Sequence, residues 1–141
     1  MFNLFKNNSF PPEFKTLADS FKIEQKVSII VGHFLLANLN GEIDSKEEKY
    51  IENIANMLHI SLDNKAFTPP KNLDYINRQL STLTNSQKVW YALSLFELII
   101  ATVSSKEKMR AASNSLLDIG FDERDVYRIL TKVQNRIATN H

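Results

Sequence analysis

Apolar side chains recur three and four residues apart over most of this chain, and no stretch shows the strict alternation of a half-buried strand. The spacing predicts about seven helices. Pro11-Pro12 opens the first, with Phe14, Leu17 and Phe21 on one face. The second runs from about Glu24 to Asn38 and is apolar nearly all round, through Val27, Ile29, Ile30, Val31, Phe34, Leu35 and Leu36. Such a helix belongs in the middle of a bundle. A third starts at Asp44 or Ser45, with Ser45 and Glu48 spaced as a capping box, and turns Tyr50, Ile51, Ile54, Ala55 and Leu58 inward.

A linker from His59 to Lys71 holds Pro69-Pro70, and a short fourth helix follows from about Leu73 to Leu83. Asn85 or Ser86 caps a fifth, Val89 to Val103, again apolar nearly all round. Ser104 and Glu107 repeat the capping-box spacing before the sixth, which Gly120 ends as a left-handed cap. Asp122 caps the seventh, with Val126, Leu130, Val133 and Ile137 as its inner stripe.

Two of these segments form an internal repeat. Phe34-Leu35-Leu36-Ala37, a polar turn, Ser45-Lys46-Glu47 and His59-Ile60 match Ile99-Ile100-Ala101, a shorter turn, Ser105-Lys106-Glu107 and Gly120-Phe121. Ala37 aligns with Ala101 at an offset of 64 and Ile60 with Phe121 at 61, so the second copy is about three residues shorter in its turn. The expected fold class is all-α: about seven antiparallel helices in a pseudo-twofold bundle. Residues 1–23 are read as an aromatic segment with a short helix, residues 24–137 as the helical domain, and the whole as one domain.

Composition narrows the function. With 141 residues, 43% hydrophobic and 23% charged, the chain can bury a core of its own. The absence of cysteine excludes disulfides, thiolate metal sites and thiol catalysis, and fits a reducing compartment. A net charge of +1 supplies no global field toward nucleic acid or a membrane. The first residues are aromatic but broken by Lys6 and Asn7-Asn8-Ser9, without the apolar core of a signal peptide. The apolar run from Val89 to Val103 is too short to span a bilayer and carries Glu97. The expectation is a cytoplasmic protein. There is no glycine-rich phosphate loop, nucleophile elbow or His-Glu-x-x-His, and only His33, His59 and His141 supply imidazole, so no enzyme is expected.

The stretch Ala37-Asn38-Leu39-Asn40-Gly41-Glu42-Ile43-Asp44, followed by Glu47 and Glu48 and by Ile54 to Ser61, resembles the tellurite-resistance TerB-like family. It is also similar to the amino-terminal domain of a membrane-anchored DnaJ-type co-chaperone. The resemblance spans roughly residues 24–136. It implies antiparallel helices throughout, a bacterial stress or envelope-associated setting and, in some members, divalent-cation binding at acidic turns. Asn40 stands where that family has aspartate, and Val103-Ser104-Ser105 replaces the second Asp-Gly, which weighs against a cation here.

The turn's own spacing leaves two uses open. Asn38, Asn40, Glu42 through its carbonyl, Asp44 and Glu47 follow most of the ligand spacing of a calcium loop, with Gly41 and Ile43 in register, but Leu36 occupies the first ligand position. The other use is a tight turn at Asn40-Gly41 and a helix cap at Asp44 or Ser45, and it is the stronger reading. The expected function is a binding or scaffolding module that offers this turn and its helix faces to a protein partner. The alternative is a calcium, magnesium or zinc sensor or buffer, with a divalent cation as its cofactor.

Three further features have a structural and a functional use. His33 and Glu97 are each the lone ionisable group of a buried helix, 64 residues apart; they are expected as a polar core pair, with a transition-metal set alongside Asp44 as the alternative. Arg124, Arg128, Lys132 and Arg136 form a basic stripe that reads better as a solvated face than as a nucleic-acid grip. Phe2, Phe5, Phe10 and Phe14 pack on the bundle or touch a partner or a membrane surface peripherally.

Overall fold

The computed structural model describes residues 16–39, 41–62, 72–102 and 105–139, and all of its regular structure is helical. Six helices follow in order: α1 (Ile23–Ala37), α2 (Ser45–Met57), α3 (Leu73–Ser81), α4 (Asn85–Thr102), α5 (Lys106–Asp118) and α6 (Glu123–Thr139). Residues 16–18 are also helical, while Pro11-Pro12, the four amino-terminal phenylalanines, Pro69-Pro70 and Ser104 lie outside the described residues. No described helix is long and apolar enough to cross a membrane.

The core is built around α4, which packs against α1, α2, α5 and α6. Its residues Trp90, Tyr91, Ala92, Leu95, Phe96, Leu98 and Ile99 are almost fully removed from water. Trp90 meets Phe21 edge to face at 5.2 Å, a geometry aromatic quadrupoles favour. The other expected central helix is less enclosed. Ile29, Ile30, Val31 and Leu36 of α1 are buried, but Leu35 is 52% exposed and Phe34 only half-buried. α1 therefore lies with one apolar edge outside.

The capping residues choose between the two starts expected for α2, shift its capping box by one position, and move the starts of α4 and α5 by one each. Asp44, not Ser45, caps α2: its carboxylate accepts the Lys46 N–H at 2.7 Å, and Glu47 Oε1 accepts the Asp44 N–H at 3.1 Å. Thr84, not Asn85 or Ser86, caps α4, exchanging bonds with Gln87 (Gln87 N–H to Thr84 Oγ1 3.2 Å, Thr84 N–H to Gln87 Oε1 2.9 Å). Ser105 caps α5 by accepting the Lys108 N–H at 3.3 Å. In the two boxes the third residue answers the cap, which points Glu47 and Gln87 along the helix start and into the bundle.

Gln25 and Gln87 use their remaining amide hydrogens on each other's half. Gln25 Nε2 donates to Thr82 Oγ1 at 3.0 Å, and Gln87 Nε2 donates to Ser20 Oγ at 3.0 Å. Ser20 and Thr82, buried Phe21 and Leu83, and Gln25 and Gln87 are each 62 residues apart, as are the first residues of α1 and α4. The buried helices thus stand in register at 62, not at the 64 taken from Ala37 and Ala101. The three extra residues of α4 fall at its far end.

The second helices, α2 and α5, begin and end 61 residues apart. After α2, His59 sits at φ +60°, with Ile60 N–H bonded to the Ala55 carbonyl at 2.9 Å. After α5, Gly120 sits at φ +112°, with Phe121 N–H bonded to the Leu116 carbonyl at 3.1 Å. Both ends close in the same left-handed way.

Candidate functional site at the acidic turn

The turn after α1 is held from beneath. Lys108, at the third position of α5, is 2% exposed and sends its ammonium under the turn. Nζ donates to Glu47 Oε2 at 2.8 Å, to Glu47 Oε1 at 3.1 Å and to the Ala37 carbonyl at 2.9 Å. Those three bonds use all three ammonium hydrogens, and the carboxylate of Glu47 is itself 1% exposed. The Ala37 carbonyl belongs to the last turn of α1, where the helix dipole favours a cation. One lysine therefore joins the end of α1, the start of α2 and the start of α5.

Around this centre the turn's candidate ligands separate. Asn38 and Glu42 are exposed, Asp44 is occupied as a cap, and Glu47 is enclosed with Lys108. Asn40 lies outside the described residues. Gly41, at φ +84°, has open space around its Cα, so it is the backbone conformation that calls for glycine there. Among the described residues no three His, Asp or Glu side chains are grouped to hold a metal ion.

His33 and Glu97 are both buried, at 0% and 3% exposure. The polar partner found for His33 on α4 is Ser94, whose Oγ lies 3.0 Å from Nε2; Nδ1 donates to the Ile29 carbonyl at 2.7 Å. Because a carbonyl only accepts, the neutral ring carries its proton on Nδ1. Burial pushes the His33 pKa down to about 4, partly opposed by the bond to Ile29. Tyr50 stacks near the ring at 6.5 Å and donates its hydroxyl to the Ser94 carbonyl at 3.0 Å; Tyr91 meets the ring edge on at 5.6 Å. This is a buried polar network around an uncharged imidazole, in which the single Ser94 hydrogen serves either Nε2 or the Tyr91 carbonyl at 2.7 Å.

The basic stripe is solvated. Arg124, Arg128 and Lys132 are exposed, and Arg128 Nη1 lies 3.6 Å from Asp125 Oδ1. The Arg136 side chain lies outside the described ones. Val126, Ile129 and Val133 form the buried face, so Ile129 takes the depth expected of Leu130, which is half-buried.

Lys108 is the residue that sequence reasoning passed over. Its signal was present: Lys108, Ala112, Leu116 and Ile119 trace the inward stripe of α5, so a lysine heads an apolar row. What the row does not reveal is the carboxylate 61 residues earlier that neutralises it. Comparison with family models, with curated proteins and with solved structures gives no match for this chain.

Proposed function

We propose that this chain is a TerB-like helical binding module, a pseudo-twofold bundle of antiparallel helices that works in a bacterial stress setting in the cytoplasm. It presents the turn at residues 38–48 and the adjoining helix faces to a protein partner and performs no covalent chemistry. The observation that carries this reading is the division of labour among the turn's acids. Asp44 and Glu47 are spent on the cap and on Lys108, while Glu42 and Glu48 remain exposed on a turn anchored from below. A contact surface fixed in advance loses little conformational freedom when a partner docks.

The reciprocal bonds of Gln25 and Gln87 support the two-fold reading, since each half completes the other at the same offset. The division of the acids also favours a protein over a cation. A calcium loop takes its last ligand from the position of Glu47, as a bidentate carboxylate. Turning Glu47 outward would strand the Lys108 ammonium in the core, at a cost of about 3–5 kcal/mol.

The test compares affinity capture by the native chain and by a Glu42→Lys, Glu48→Lys double variant of equal melting temperature. A partner retained by the first and lost by the second supports the module; equal retention by both removes the turn from the contact. Calorimetry with calcium, magnesium and zinc runs beside it, and saturable heat with a thermal shift would select the cation reading instead.

A further inference from the structure

A cavity of about 300 Å³ opens between α1, α3, α4 and α5. Leu36, Ile76, Leu80 and Leu95 are among its buried walls, and Leu35, Leu39 and Leu73, exposed at 52%, 46% and 57%, stand at its mouth. Deep in it lies Tyr91, 2% exposed. Its hydroxyl rests on the backbone of Gly32, where any Cβ would overlap the oxygen. Glycine at 32 is what makes room for that hydroxyl.

The hydroxyl finds no hydrogen-bond partner among the described residues. Burial is the sole influence on its acidity and pushes its pKa well above the ordinary phenol range, so it stays a neutral donor. The oxygen is not among the fully enclosed polar atoms left unpaired, so it faces the open space of the cavity, where an entering acceptor can take its hydrogen. The other polar side chains of the lining are Asn77 and Ser115, and the Ser115 hydroxyl already donates to the Ala111 carbonyl at 2.9 Å. Among the described residues no charged side chain lines the cavity, which disfavours a carboxylate or an amine as the guest. An aliphatic side chain from a partner protein would fill the space and leave the hydroxyl unanswered.

We propose that this cavity is a binding site for a small, neutral, apolar molecule bearing one carbonyl oxygen, which accepts a hydrogen bond from Tyr91 Oη while its hydrocarbon body lies along Leu36, Leu80 and Leu95. The volume is at the lower end for small-ligand pockets, and an apolar lining with one or two placed polar groups is their usual chemistry. The site stands apart from the acidic turn and does not rest on the module reading above.

Acetophenone and ethylbenzene serve as probes, matched in size and differing in the carbonyl. Binding to the full chain is followed by amide chemical shifts and by titration calorimetry. Both probes should give saturable shifts at residues of the cavity. In Tyr91→Phe, acetophenone should bind roughly three- to tenfold more weakly, the worth of one neutral hydrogen bond, with ethylbenzene unchanged. Ala111→Phe, which fills the cavity, should abolish both, and Tyr91→Phe keeps the test decisive if that variant does not fold. Absence of saturable shifts, or equal acetophenone affinity in Tyr91→Phe, overturns the proposal. So does a concentration-dependent dimer lost on Leu39→Ser with Leu73→Ser, which would mean that a second copy covers the mouth.

Discussion

Lys108 Nζ and Glu47 Oε2 lie 2.8 Å apart with side-chain exposures of 3% and 1%, and both residues hold the third position of their helices, 61 residues apart. The two amphipathic helices thus meet at their equivalent first turns through opposite charges. Burying two ions is expensive, and the geometry answers it by leaving no ammonium hydrogen unused.

Removing one partner strands the other. Lys108→Met should lower the unfolding free energy by about 3–5 kcal/mol in urea titrations. Combining it with Glu47→Gln, which keeps an acceptor for the Asp44 N–H, should recover part of that loss. A double variant no better than Lys108→Met alone would mean that the lysine acts by packing and not by charge.

The buried imidazole sets a pH dependence. The His33 pKa falls from 6.5 unfolded to about 4 folded, so the folded state binds fewer protons between those values. Its contribution is fully present above about pH 6.5 and is lost as pH falls toward 4, on the order of 3 kcal/mol. His33→Gln should flatten that part of the stability–pH curve relative to the native chain. Parallel curves for the two proteins would show that the ring is not held neutral.

Asp44 offers a separation of cap from ligand. Asp44→Ala should cost about 1 kcal/mol through the lost bond to Lys46, in chelator and in millimolar calcium alike. A loss confined to the calcium condition would assign the carboxylate to an ion.

The two helix ends respond oppositely to substitution. His59 adopts a left-handed conformation that disfavours side chains, and its contact with Asp19 at 3.2 Å is exposed. His59→Gly should therefore raise stability by about 0.5–1 kcal/mol. Gly120→Ala should lower it by about 1–2 kcal/mol, from the same backbone strain plus a Cβ placed 3.1 Å from Lys88 Nζ. Thermal melts of both variants against the native chain read the two signs.

Much of this was legible from local pattern. The inward row of α2, Val126 and Val133 on α6, and the left-handed end at Gly120 follow from spacing and from residues that favour one backbone region. The starts of α4 and α5 were one residue off because Thr84 and Asn85, and Ser104 and Ser105, offer adjacent capping oxygens, as Asp44 and Ser45 do at α2. The offset of 64 that set His33 beside Glu97 did not foretell the hydroxyl found at the ring, that of Ser94, 61 residues on.

The sequence by itself determined that the described chain is helical, where its apolar faces run and that no charge or motif commits it to nucleic acid or catalysis. These are properties of neighbours along the chain, where periodicity and propensity act. The tertiary structure alone decided that Glu47 pairs with Lys108, that Gln25 and Gln87 bond to Thr82 and Ser20 at the same offset, and that the Tyr91 hydroxyl faces a cavity. Each depends on side chains dozens of residues apart, or on helices brought together in space, and such contacts exist only once the helices have packed in one register.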